Sequence, residues 1–99
     1  MELEQMQANA ESAATLLKNL ANPSRLLVLC ALVEREYSAG ELEEVAGLNQ
    51  SALSQHLAKL RADSIVTCRR DGQRIYYALA DDKSAQILQA LHRIYCEPD

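Results

Sequence analysis

A chain of 99 residues has room for one domain and no second core, and its formal net charge of -4 confines any affinity for a polyanion to a local basic patch. Hydrophobic content of 48% is globular, but with no Trp and no Phe the core must be built from Leu, Ile, Val, Ala and four tyrosines, and such a small domain gains from burying a helix face against a second copy. No apolar run approaches the roughly 20 residues needed to cross a bilayer, and the opening MELEQMQ lacks the cationic and apolar regions of a secretory signal, so a cytoplasmic protein is expected, with no membrane partner.

Residues 2–20 carry Met6, Ala10, Ala13, Leu16, Leu17 and Leu20 on a helical period, which predicts an amphipathic first helix. Ala21-Asn22-Pro23-Ser24 breaks it. Asn22 as N-cap and Pro23 at the first helical position start a second helix, running to about Arg35 and packing Leu26, Leu27, Leu29, Cys30 and Val33. A very short strand at Tyr37 could pair with a later hairpin. Ser38 with Glu41 has the S-x-x-E form of a capping box and opens a third helix, which Gly47 stops. Asn49 then caps a fourth helix with Leu53, Leu57 and Leu60 on one buried stripe.

The other face of that helix shows Gln50, Ser51, Ser54, Gln55 and His56, groups that exchange hydrogen bonds with base edges and phosphates when a helix lies in a major groove. Capped helix pairs with polar outer faces occur in many bundles, so the segment C-terminal to this helix carries the discrimination. There, Ile65–Arg70 and Arg74–Leu79 are rich in β-formers and are separated by Asp71-Gly72-Gln73, a strong hairpin signal. Asp81 or Asp82 can cap a last helix with Ile87, Leu88, Leu91 and Ile94 as its apolar face. The order α-α-α-α-β-β-α describes a mainly α domain with a small β-hairpin, a winged helix-turn-helix filling residues 1–99 as one unit.

Charge placement agrees with this reading. From Gln50 to Tyr76 there are five bases (Lys59, Arg61, Arg69, Arg70, Arg74) and two acids (Asp63, Asp71), a local +3 inside a chain of -4. These bases, with Gln73 at the hairpin tip, complete the set expected to meet DNA. The first and last helices are the natural dimerisation surfaces, and a two-fold dimer would set two recognition helices roughly 34 Å apart, calling for an inverted-repeat operator in double-stranded DNA. An enzyme is not expected: two histidines and three glycines supply no phosphate-cradling loop and no nucleophile with a base, and no cofactor is called for.

Nearly the whole chain resembles the ArsR/SmtB family of small homodimeric winged-helix repressors, from LLKNLANPSRLLVLCALV through SAGELEEVAGLNQSALSQHLAKLR to DGQRIYYAL and LHRIYC. The resemblance implies a repressor that leaves its operator when a metal ion or another chemical signal binds. The metal-sensing positions are empty: ELEEVAG offers no thiol, and the last helix has His92 alone. Cys30 and Cys96 instead fall where they do in the dithiol branch, the HlyU, BigR and SqrR type. The implied switch is the reaction of those two thiols with reactive sulfur or oxidant, forming a bridge that weakens DNA binding. Spacing alone does not pair them, and each has a plain alternative as a small buried hydrophobe or an idle surface thiol.

Cys68, beside Arg69 and Arg70, is a third thiol or simply a strand residue. Ser64 stands where the family nearly always turns with Gly, at a cost of about 1 kcal/mol if the turn needs positive φ. Two other functions remain open on sequence alone: a metal-responsive regulator with an unrecognised site, and a winged helix that binds a protein instead of DNA.

Overall fold

The computed structural model describes residues 1–97. Its first corner is made by Asn22, whose side chain accepts a hydrogen bond from the Arg25 N–H at 3.1 Å while Pro23 opens the next helix. The corner turns the chain by 101° between α1 (Leu3–Leu20) and α2 (Pro23–Glu34). After β1 (Tyr37–Ser38), α3 (Ala39–Ala46) opens on the expected capping box, with Glu41 N–H bonded to Ser38 Oγ at 3.2 Å and Ser38 N–H to Glu41 Oε1 at 2.9 Å. Gly47, at φ 65°, ends it, and Asn49 caps α4 (Gln50–Ala62) by accepting from Ala52 N–H at 2.8 Å. Then come β2 (Val66–Asp71), β3 (Arg74–Leu79) and α5 (Lys83–Tyr95).

The exit from α4 explains Ser64. Ile65 N–H reaches Leu60 O at 2.9 Å and Ser64 N–H reaches Arg61 O at 3.0 Å, the paired bonds of a Schellman ending. That ending requires a left-handed residue, and Ser64 takes it at φ 59°. The αL cost of a side chain is offset by the apolar contact the motif provides, since Leu60 and Ile65 are both buried.

The three strands form one antiparallel sheet in the order β1-β3-β2, with Tyr37 opposite Tyr77 and Cys68 opposite Tyr77 on the other side. Asp71 pairs with Arg74, so the reversal is Gly72-Gln73, with Gly72 at φ 64°. Glycine at the first central position is what a two-residue II′ hairpin wants, one residue later than the Asp-Gly signal suggested. At the far end, Asp82 is the N-cap residue of the last helix and makes no side-chain cap bond to the backbone, while the backbone N–H of Lys83 bonds Asp81 Oδ1 at 2.9 Å just outside it.

Leu20, Val28, Leu29, Leu32, Leu42, Leu53, Leu57, Leu60, Ile65, Val66 and Leu88 make one core, each such side chain contributing about 1.5–3 kcal/mol of burial. For α2 the expected inward face is rotated. Val28, Leu29 and Leu32 are buried, whereas Leu27 is 48% exposed and Cys30 faces out. The physical reason is that α2 is apolar nearly all round, so no polar face chose its roll, and packing against α1, α3, α5 and β3 did. The first ten residues of the chain are all exposed, and the radius of gyration, 14.4 Å, exceeds the ~13 Å of a compact chain this long.

Candidate nucleic-acid interface

Burying Leu53, Leu57 and Leu60 turns the opposite side of α4 to solvent, and Gln50, Ser51, Ser54 and Gln55 are all exposed there. Ala58, one turn beyond Ser54, is exposed on the same side, a position the polar pattern of the sequence does not single out. Its methyl group suits close approach to a thymine methyl. Recognising it needs only the i, i+4 count from Ser54, but an alanine carries no polar signal to draw attention. His56 departs from the others: it is half-buried, with Nδ1 3.3 Å from Arg25 Nη1.

The bases sort into free and engaged. Arg61, Arg70 and Arg74 are exposed and form no ion pair among the described residues, and Gln73 is exposed at the tip beside them. Lys59 bridges Asp63 at 3.2 Å. Arg69 is held in the fold: its guanidinium lies over the Tyr76 ring at 4.6 Å and bonds both carboxylate oxygens of Glu36, with Nε to Oε2 at 3.0 Å. The hydrogen bond from Arg69 pulls the Glu36 carboxyl below its ordinary value. Arg69 therefore braces the hairpin against the strand that precedes α3, whereas sequence places it among the residues facing DNA. A similar stack, Arg35 over Tyr37 at 3.7 Å and bonded to Glu41 at 3.1 Å, ties that strand to α3.

Behind α4 lies a polar cluster that sequence reasoning missed. Asn19, fully buried near the end of α1, donates from Nδ2 to Asp63 Oδ2 at 2.8 Å and to Thr15 O at 3.0 Å. Its carbonyl accepts Arg25 Nε at 3.2 Å. The Asn19 hydrogen bond, then Lys59, holds the Asp63 carboxyl low.

The three cysteines are free thiols. Cys30 lies on α2 and Cys96 is the C-cap of α5, two helices that pack together. Partial burial pushes the Cys30 thiol up, and the charge of Cys96 pushes it further, so the fold brings these two distant positions within electrostatic reach of each other. Cys68 is half-buried on β2, where it acts on Tyr77 instead. His92 is 3.5 Å from Glu97, and among the described residues no three His, Cys, Asp or Glu side chains cluster as metal ligands do.

Comparison with known proteins decides what kind of chain carries this surface. The pattern of the bacterial regulatory protein, arsR family, matches residues 22–67, from the Asn22 cap through α4 into β2. The chain is 44% identical over 97 residues to the transcriptional activator HlyU of Vibrio cholerae serotype O1, covering 98% of this chain and 90% of that protein. The chain belongs to the ArsR family. The crystal structure of the transcriptional repressor BigR from Xylella fastidiosa superimposes with a TM-score of 0.90 at 46% identity, covering 97% of this chain and 98% of that one. The homodimeric winged helix-turn-helix domain of Mb0332 from Mycobacterium bovis superimposes at 0.78 with 28% identity, covering 91% and 83%. The winged-helix fold expected from sequence is thereby established, and ArsR proteins of this type are DNA-binding regulators, not enzymes. No single helix among the described residues is long and apolar enough to cross a membrane.

Proposed function

We propose that this ArsR-family chain is a homodimeric repressor of an inverted-repeat operator, working in the cytoplasm, whose DNA binding is switched by Cys30 and Cys96. The observation that carries the DNA reading is the exposed row Gln50, Ser51, Ser54 and Gln55 on α4, together with the bases Arg61, Arg70 and Arg74, which are exposed and form no ion pair among the described residues. Side chains of the row exchange hydrogen bonds with base edges, and the bases, with Gln73, engage phosphates beside the groove. Lys59 already shares its charge with Asp63 and Arg69 with Glu36, so each has less to offer a phosphate than the free bases. His56 takes the inner edge of the reading surface. Dimerisation is supported by the exposed Leu3, Met6 and Leu17 on α1 and Ile94 and Tyr95 on α5, and by the homodimeric Mb0332 domain.

For the switch, support comes from the thiol positions, their mutual electrostatic influence and the resemblance to the dithiol branch. Cys96 attacks the outer sulfur of a low-molecular-weight persulfide, releasing the carrier thiol. Cys30 then attacks the Cys96 sulfur bonded to the carbon chain, closing a disulfide and expelling hydrogen sulfide. Two thiols are oxidised by one persulfide, which leaves as thiol and sulfide.

Selecting duplexes from a random-sequence pool with the reduced protein tests the DNA reading. The selected sequences should converge on two inverted half-sites about one helical turn apart, and affinity for them should fall steeply as salt rises. A pool that stays random, or affinity indifferent to salt, would contradict it.

A further inference from the structure

The polar cluster behind α4 belongs neither to the exposed DNA-facing row nor to the thiol pair. Asn19 is 0% exposed, and its Oδ1 has no hydrogen-bond partner, so packing alone gives no reason for an amide at this position. What it does is hold α4 at two points. Its side chain bonds Asp63, and its carbonyl bonds the guanidinium of Arg25, whose Nη1 meets His56 Nδ1. His56 and Asp63 stand two helical turns apart, about 10 Å, on one side of the helix, so fixing both fixes its roll. A guanidinium only donates; Nδ1 must therefore be the acceptor, and the neutral ring carries its proton on Nε2. No protein acceptor takes that proton among the described residues.

We propose that Asn19 and Arg25 are positioning residues for DNA reading: together they set the roll of the recognition helix and fix His56 as an Nε2–H donor for an acceptor on DNA. This rests on the DNA-binding reading of α4. Because Asn19 belongs to the helix assigned to the dimer, the strut also ties the orientation of each recognition helix to the pairing of the two copies.

The test uses the full chain as wild type, Asn19→Leu, Arg25→Met and Arg25→Lys. Lysine keeps the charge, but a single ammonium on a flexible stem lacks the fork that serves two acceptors at once. Two quantities are read: the nitrogen-15 signals of the His56 ring without DNA, and affinity for a duplex selected by the wild type against affinity for the unselected pool. Wild type should show a protonated Nε2 and a bare Nδ1. Both Arg25 variants should show mixed tautomers and lose about tenfold on the selected duplex, with little loss on the pool for Arg25→Lys. Asn19→Leu should keep the tautomer and lose selectivity to a smaller degree.

Equal losses on both probes for Arg25→Lys, an Nδ1–H ring in wild type, or unchanged selectivity in all variants would overturn the proposal. A wild type with no preference for the selected duplex would remove the DNA reading itself. The ring tautomer, read without DNA, separates a failure of the strut from a failure of that reading.

Discussion

Ser54 and Gln55 are where base reading should be felt most sharply. Replacing either with Ala is expected to cost about 1–3 kcal/mol on a selected duplex and little on the random pool, as measured by fluorescence anisotropy. Equal losses on both would place α4 outside the groove. Ser64 gives a test of stability alone. Its side chain occupies a left-handed conformation at φ 59°, so Ser64→Gly should raise stability by about 0.5–1 kcal/mol, seen as a higher urea midpoint with an unchanged slope. The exposed row on α4 was legible in sequence because helical spacing from Leu53, Leu57 and Leu60 dictates what faces out. Asn19, Arg25 and the inward turn of His56 were not, because they meet through contacts 31 and 44 residues apart in sequence. Local pattern carries no signal for such pairs.

Among the elements, the hairpin separates two kinds of arginine. Neutralising Arg70 or Arg74, which are exposed and form no ion pair among the described residues, should lower the salt slope of DNA binding by about one unit. Arg69→Gln should lower it less, because Glu36 already neutralises that guanidinium; equal slopes for all three would show that Arg69 meets DNA as the free arginines do. The tie has a pH signature. Hydrogen bonding from Arg69 holds the Glu36 carboxyl below its ordinary 4.5, so the tie is fully present above that value and is lost as pH falls through the lowered one. Amide signals of β2 and β3 should therefore stay constant from neutral pH down to about 4.5 and move only below it, and Glu36→Gln should abolish that movement. Element boundaries were readable from chemistry at the caps, at Asn22, Ser38, Gly47 and Asn49. The roll of α2 was not, since a helix apolar on every side gives no preferred face, and this is why Cys30 faces out where sequence turned it in.

At the scale of the whole molecule, the proposed dimer would cover apolar side chains that a single copy leaves exposed on α1 and α5. Leu17 is 55% exposed, so Leu17→Glu should leave each copy folded while sedimentation shifts from dimer to monomer; a folded monomer already in the wild type at micromolar concentration would refute the dimer. In the proposed switch, a bridge from α2 to the end of α5 would tie the DNA-reading unit to the helix proposed to pair the copies. Such a bridge lowers affinity only if it favours the geometry that cannot bind, and each tenfold loss requires about 1.4 kcal/mol of that preference. Anisotropy of a selected duplex bound to wild type, Cys68→Ser, Cys30→Ser and Cys96→Ser, before and after persulfide, measures this directly. Wild type and Cys68→Ser should release the duplex as mass spectrometry shows a Cys30–Cys96 disulfide, and Cys30→Ser and Cys96→Ser should hold it. Full release from either of the last two would contradict the two-thiol switch.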